Sequence, residues 1–209
     1  MIVGRFLGFD PLKGRETRST IHTVILDDSP SMSDGWTATN GVPTDSLAAA
    51  KLTLAEHIAP AAAKATNPQF LEVIRLSDLT PVLNASRINS GTGDEVKSTL
   101  GKLESSSVRG SLVEALKKAK TLADADPQDT ARVVHVLSDF RTIDWDTDGP
   151  ALRTILEALS KQDVKVHLID TVGDPYRTDE KRPPRSHDNV SIVELTPSRR
   201  VVARFEPIE

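Results

Sequence analysis

The chain runs to 209 residues, 38% of them hydrophobic and 4% aromatic. That is enough for one α/β domain whose core is built from Val, Ile, Leu and Ala. A net charge of −4 and a pI near 5.8 exclude the basic footprint expected of a nucleic-acid binder. With no cysteine there is no disulfide framework, thiolate zinc site or Cys nucleophile, and no apolar stretch approaches the ~20 residues of a membrane span.

Residues 1–18 mix Gly, Pro and charge without periodicity and read as a lead-in. The opening stretch 1–9 is too short and too lightly charged for a signal peptide. Residues 20–26 form a β-branched and aliphatic run, the pattern of a strand buried on both faces. It opens into Asp27-Asp28-Ser29-Pro30-Ser31-Met32 and then a polar, Gly-rich loop at 33–44. Asp45 or Thr44 is placed to cap a helix at 46–59, which Pro60 limits or kinks. Leu47, Ala50, Leu54 and Ile58 share one face of that helix.

Further strands are expected at 70–76 and 81–85, then helices at 95–103 and 111–123. The second of these helices turns Leu112, Ala115, Leu116 and Ala119 inward. A buried strand at 132–137 ends near Asp139, a helix follows at 151–159, and another strand at 164–169. Strands alternating with helices predict a doubly wound, Rossmann-like, mostly parallel sheet with helices on both faces. Ligands of such sheets gather at the carboxyl ends of the strands, where both Asp27 and Asp139 fall. Residues 174–188 carry dense charge and three prolines, as a linker does. Residues 189–209 alternate like two strands, either opening a second β-rich domain or adding a last strand to the first.

The chemistry concentrates at Asp27, Ser29 and Ser31. A carboxylate and two hydroxyls at alternating positions are hard oxygen donors suited to Mg²⁺ or Mn²⁺. Asp-x-Ser-x-Ser followed by Met, at the end of a buried strand, resembles the metal-ion-dependent adhesion site of von Willebrand factor A (vWA) domains. In that family a second loop supplies a Thr and a third loop an Asp just after a buried strand. Leu137-Ser138-Asp139 matches the third loop. Counting back from Ala115-Leu116, the Thr position falls on Gly110, which has no hydroxyl; Ser111 and Ser107 lie one and three residues away.

The resemblance covers residues 19–173 and implies the vWA fold, with Asp27, Ser29, Ser31, Asp139 and Ser111 as candidate metal ligands. It also implies a non-enzymatic protein-interaction module that binds a partner's Asp or Glu through the cation. Asp27-Asp28-Ser29 with Ser31-Met32-Ser33, and the stretch from Ser138 to Trp145, resemble bacterial vWA proteins of the aerotolerance type. Those proteins are membrane-anchored, which would place any anchor outside this chain. A metal-free scaffold is the alternative reading.

A hydrolase or phosphotransferase is the enzymatic alternative, but the signatures it needs are missing. An Asp nucleophile wants a second carboxylate two residues on, where Ser29 stands. No Gly-x-Ser-x-Gly elbow surrounds Ser29 or Ser31, and there is no phosphate-binding glycine loop. The five histidines show no ligand spacing, and His22, His135 and His167 fall in or beside strands as structural residues. Asp28 and Asp34 read as solvated flanks of the site. Trp36 and Trp145 read either as partner contacts or as packing over the loops.

Overall fold

The computed structural model describes residues 18–38, 41–127, 130–141 and 148–172. The chain starts with strand β1 (Ser19–Leu26) and a single 3₁₀ turn, Pro30–Ser33. Where a loop is expected it forms a small hairpin, β2 (Gly35–Thr37) against β3 (Pro43–Asp45). Helix α1 (Ser46–Thr53) is capped by Asp45, whose Oδ1 accepts from the Ala48 amide at 2.7 Å.

Pro60 does not end this helix. The backbone widens into a π turn over Leu54–Ile58, in which the Ala59 amide reaches back to the Leu54 carbonyl, and continues as α2 (Ala59–Ala63). Proline has no N–H, and its ring presses on the carbonyl four residues earlier. A wider turn just before it absorbs both defects. Leu47, Ala50, Leu54 and Ile58 are all buried, as their spacing predicts.

The remaining elements are β4 (Gln69–Arg75), β5 (Pro81–Arg87), α3 (Thr92–Leu100), α4 (Leu112–Ala125), β6 (Thr130–Ser138), α5 (Gly149–Lys161) and β7 (Lys165–Asp170). The main sheet runs β5-β4-β1-β6-β7. Every pairing is parallel except β4 with β5. Val24, Leu26, Leu71 and Leu137 pack on one face beneath α1, α2 and α3. Ile25, Val134 and Val136 pack on the other beneath α4 and α5. This is the doubly wound α/β architecture expected from the alternation of elements.

The winding fixes where a ligand site can form. From β1 the chain moves to one side through β4 and β5, then crosses to the other through β6 and β7. The strand order therefore reverses between β1 and β6, which opens a crevice at their carboxyl ends. Leu26 pairs with Leu137 in that ladder, and the Asp27 amide donates to the Leu137 carbonyl at 3.0 Å. Asp27 and Ser138-Asp139 are brought side by side by register alone.

Toward the middle of the sheet, the strands carry a histidine row. Gln69 donates its amide N–H to Asn67 Oδ1 at 2.8 Å, so its Oε1, 2.7 Å from His22 Nε2, must accept. His22 Nδ1 then accepts from His135 Nε2 at 3.0 Å, and His135 stacks edge-on against His167 at 5.1 Å. His135 Nδ1 is left buried with no hydrogen-bond partner among the described residues. Burial lowers all three histidines below their ordinary pKa, His135 furthest, so the row is neutral. The lead-in at 1–17, Trp145, the linker and the final alternating segment lie outside the described residues.

Candidate functional site

Asp27 leaves β1 into the crevice and is almost fully buried. Its Oδ1 accepts from the Ser29 amide at 2.9 Å, and its Oδ2 accepts from the Ser138 hydroxyl at 2.6 Å. The first bond closes a tight turn of the kind Asp favours after a strand. That turn brings the next two hydroxyls together: Ser29 Oγ and Ser31 Oγ lie 3.1 Å apart. Met32 points the opposite way, fully buried in the core beneath the loop, with the Thr171 hydroxyl 4.0 Å from its sulfur. The methionine of the motif is thus the plug that holds the serines up.

Burial pushes the Asp27 carboxyl above its ordinary pKa. Hydrogen bonds from Ser138 and Ser29 oppose that shift, and the neighbouring charge of Asp139 adds to it. Asp139 is itself fully buried and accepts from Arg141 Nε at 3.1 Å. The same guanidinium forms an ion pair with Asp34, at the end of the 3₁₀ turn. Asp34 and Asp139 thus share one guanidinium, and the Asp139 charge also bears on Asp27.

Two expectations need correction. Asp28 and Asp34 are not solvated flanks; both are buried. Asp28 is a structural anchor, accepting from Arg75 Nε at 2.8 Å, the Ser77 amide at 2.9 Å and the Ser77 hydroxyl at 2.8 Å. These bonds tie the first loop to the end of β4. A charged side chain followed by small polar residues gave no hint that β4 would deliver a matching arginine. Trp36 is also buried, at 7% exposure, which favours the packing alternative over a partner contact.

The second loop behaves differently from the first and third. The Ser106 amide donates to the Asp28 carbonyl at 2.6 Å, docking the loop beside the site. Gly110 presses on the end of β4. A Cβ there would lie 2.7 Å from Leu76 Cγ and would collide with the Leu76 carbonyl oxygen. Glycine is present because nothing larger fits. The Ser111 hydroxyl serves as the N-cap of α4, accepting from the Glu114 amide at 3.3 Å, and Ser107 is exposed. Asp27, Ser29, Ser31 and Asp139 are thus gathered at one crevice, while the Ser111 oxygen is engaged with its own helix.

Sequence reasoning passed over Ser138, which orients Asp27, and Arg141, which neutralises Asp139. Both signals were present: a hydroxyl directly before the third-loop Asp, and a cation two residues after it.

The donor set suits a hard divalent ion. Neighbouring oxygens around an octahedral Mg²⁺ at about 2.1 Å sit roughly 3 Å apart, close to the separation of the two serine hydroxyls. Among the described residues no three acidic or histidine side chains are grouped to hold a metal by themselves. Such an ion would therefore depend on the serines.

No family model and no curated protein matches this chain. A solved vWA structure does. The crystal structure of the SpRpn10 VWA domain is similar over 73% of this chain and 74% of its own, with 14% identity and a TM-score of 0.48. Among the described residues no helix is long and apolar enough to cross a membrane.

Proposed function

We propose that the chain is a vWA-type protein-interaction module that grips an acidic side chain of a partner protein through a divalent cation. The observation that carries this reading is the Ser29–Ser31 hydroxyl pair, 3.1 Å apart beside the buried Asp27 at the reversal point of the sheet. Ser29 and Ser31 would contact the ion directly, while Asp27 and Asp139 supply negative charge directly or through water. When bound, the cation supplies an electrophilic oxygen-binding position that neutral hydroxyls leave under-neutralised, and this attracts an external carboxylate.

The arrangement is one for binding: the serine hydroxyls pair with each other at 3.1 Å, and among the described residues no hydrogen bond joins either of them to a histidine or lysine that could activate it. The vWA neighbour is in keeping with an interaction role at the level of fold only. Membrane association of the aerotolerance type rests on the resemblance of the loop sequences alone.

The test is Mn²⁺ binding, followed through loss of the free-ion electron spin resonance signal. Wild-type protein should deplete the signal, and Asp27→Asn and Ser29→Ala should each abolish depletion while preserving the fold. A peptide with a central Asp should then bind only the loaded protein and be released by excess chelator. Peptide binding that ignores chelator would overturn the cation mechanism and leave the metal-free scaffold, the reading favoured by the Arg141–Asp139 ion pair.

A further inference from the structure

We infer that Arg141 is a tethered counter-ion that latches the site in a cation-free state, so that loading a divalent ion requires the guanidinium to leave Asp139. The inference rests on the cation reading above and adds its regulation. In the structure Arg141 holds Asp139 through Nε at 3.1 Å and reaches Asp34 with a terminal nitrogen. It therefore bridges the third-loop acid to the end of the first loop, across the crevice where the ion would sit. A guanidinium and a divalent ion so close together repel each other, and both draw on the same carboxylate. Occupancy of one weakens the other.

Two features make Arg141 releasable. Its side chain is 33% exposed, whereas Asp34 and Asp139 beneath it are 5% and 0%. The residue that turns it back onto Asp139 is Phe140, which takes φ of +44°, a left-handed conformation uncommon for a side chain of this size. The Phe140 amide is held there by the Ser138 hydroxyl at 3.1 Å, the same hydroxyl that donates to Asp27. Movement of Asp27 or Ser138 toward an ion thus loosens the turn that holds Arg141 in place. Once released, the guanidinium stands at the rim, where it can bond the same acidic side chain that the cation attracts.

The test compares Mn²⁺ affinity and thermal stability in wild type, Arg141→Gln and Arg141→Lys. The glutamine variant should bind Mn²⁺ about tenfold more tightly or better, a coupling of ordinary allosteric size. The lysine variant, which keeps the charge, should stay near wild type. Without cation Arg141→Gln should melt below wild type, and saturating Mn²⁺ should close that gap, because the loaded form no longer uses the arginine. A merely structural Arg141 would lower the melting temperature equally with and without ion. Equal or weaker Mn²⁺ binding by Arg141→Gln overturns the latch and leaves the cation site standing. No binding by any of the three proteins at millimolar Mn²⁺ overturns both.

Discussion

Among the described residues three arginines lie between two carboxylates, and two of them, Arg132 and Arg141, differ in one respect that matters. Arg132 sits within β6 near the amino end of the sheet. It bonds Asp126 through Nε at 2.7 Å and a terminal nitrogen at 2.8 Å, and also contacts Glu72 and the Thr23 hydroxyl. Its side chain is 5% exposed and its partners 13% and 12%. Arg141 also spans two acids, yet it is one-third exposed and lies three residues beyond the carboxyl end of β6. The first arginine lies within β6 and reaches across to Thr23 of β1 and Glu72 of β4. The second has left the strand and keeps a third of its side chain in solvent. Identical charge chemistry makes a fastener in one place and a latch in the other, and burial with backbone rigidity decides which.

That contrast can be broken most severely at Arg132. Replacing it with Met leaves Glu72 and Asp126 charged and unpaired in a closed environment. A loss of about 3–5 kcal/mol is expected, read as a shift in the urea midpoint. At the other edge, Gly110→Thr restores the hydroxyl found in the resembling family but drives a side chain into Leu76. It should lose about 1–3 kcal/mol by overpacking and gain no Mn²⁺ affinity. A gain in affinity at unchanged stability would show that the second loop has room the structure denies.

The histidine row beside the Arg132 network sharpens the comparison through pH. Its members have folded pKa values below the ordinary histidine value, burial being the largest cause. Below about pH 6.5 the unfolded chain takes up protons that the folded chain refuses. Stability is therefore fully present above that pH and falls as the pH drops toward the folded values. Each such histidine contributes a slope of about 1.4 kcal/mol per pH unit in that window. His135→Gln keeps a donor toward His22 and removes one titrating group. Its urea midpoint should fall less steeply between pH 6.5 and 5 than that of wild type, and an unchanged slope would show that His135 is charged in the folded protein.

The smallest effect is expected at the latch. Arg141→Gln keeps an amide donor toward Asp139 and Asp34, so without cation it should lose less than Arg132→Met, which leaves its acids no donor in that place. A loss as large as that at Arg132 would erase the distinction between the two arginines.

Much of this was legible in the sequence, and the reason is periodicity. Buried runs at 20–26 and 132–137 marked the two central strands, and an acid just beyond each marked the edge where a site could form. Asp45 as a cap and the inward face of α4 followed from spacing as well. What stayed hidden depended on pairing across long separations. Asp28 reads as a solvated loop acid until β4 presents Arg75 and Ser77 from 47 and 49 residues away. The β2–β3 hairpin was masked by polar and Gly-rich composition. Gly110 reads as a missing ligand, whereas its close approach to Leu76 is a packing constraint imposed by the adjoining strand. Pro60 reads as either a limit or a kink, and the π turn that accommodates it leaves no mark in the pattern of apolar residues.

The most direct test of the central claim is an anomalous difference map at the manganese edge from crystals equilibrated with Mn²⁺. The account predicts one peak within about 2.2 Å of both Ser29 Oγ and Ser31 Oγ, with the carboxylates of Asp27 and Asp139 facing it and Arg141 swung away. A clear map with no peak at the serine pair, or an ion bound elsewhere while Arg141 still holds Asp139, would contradict it.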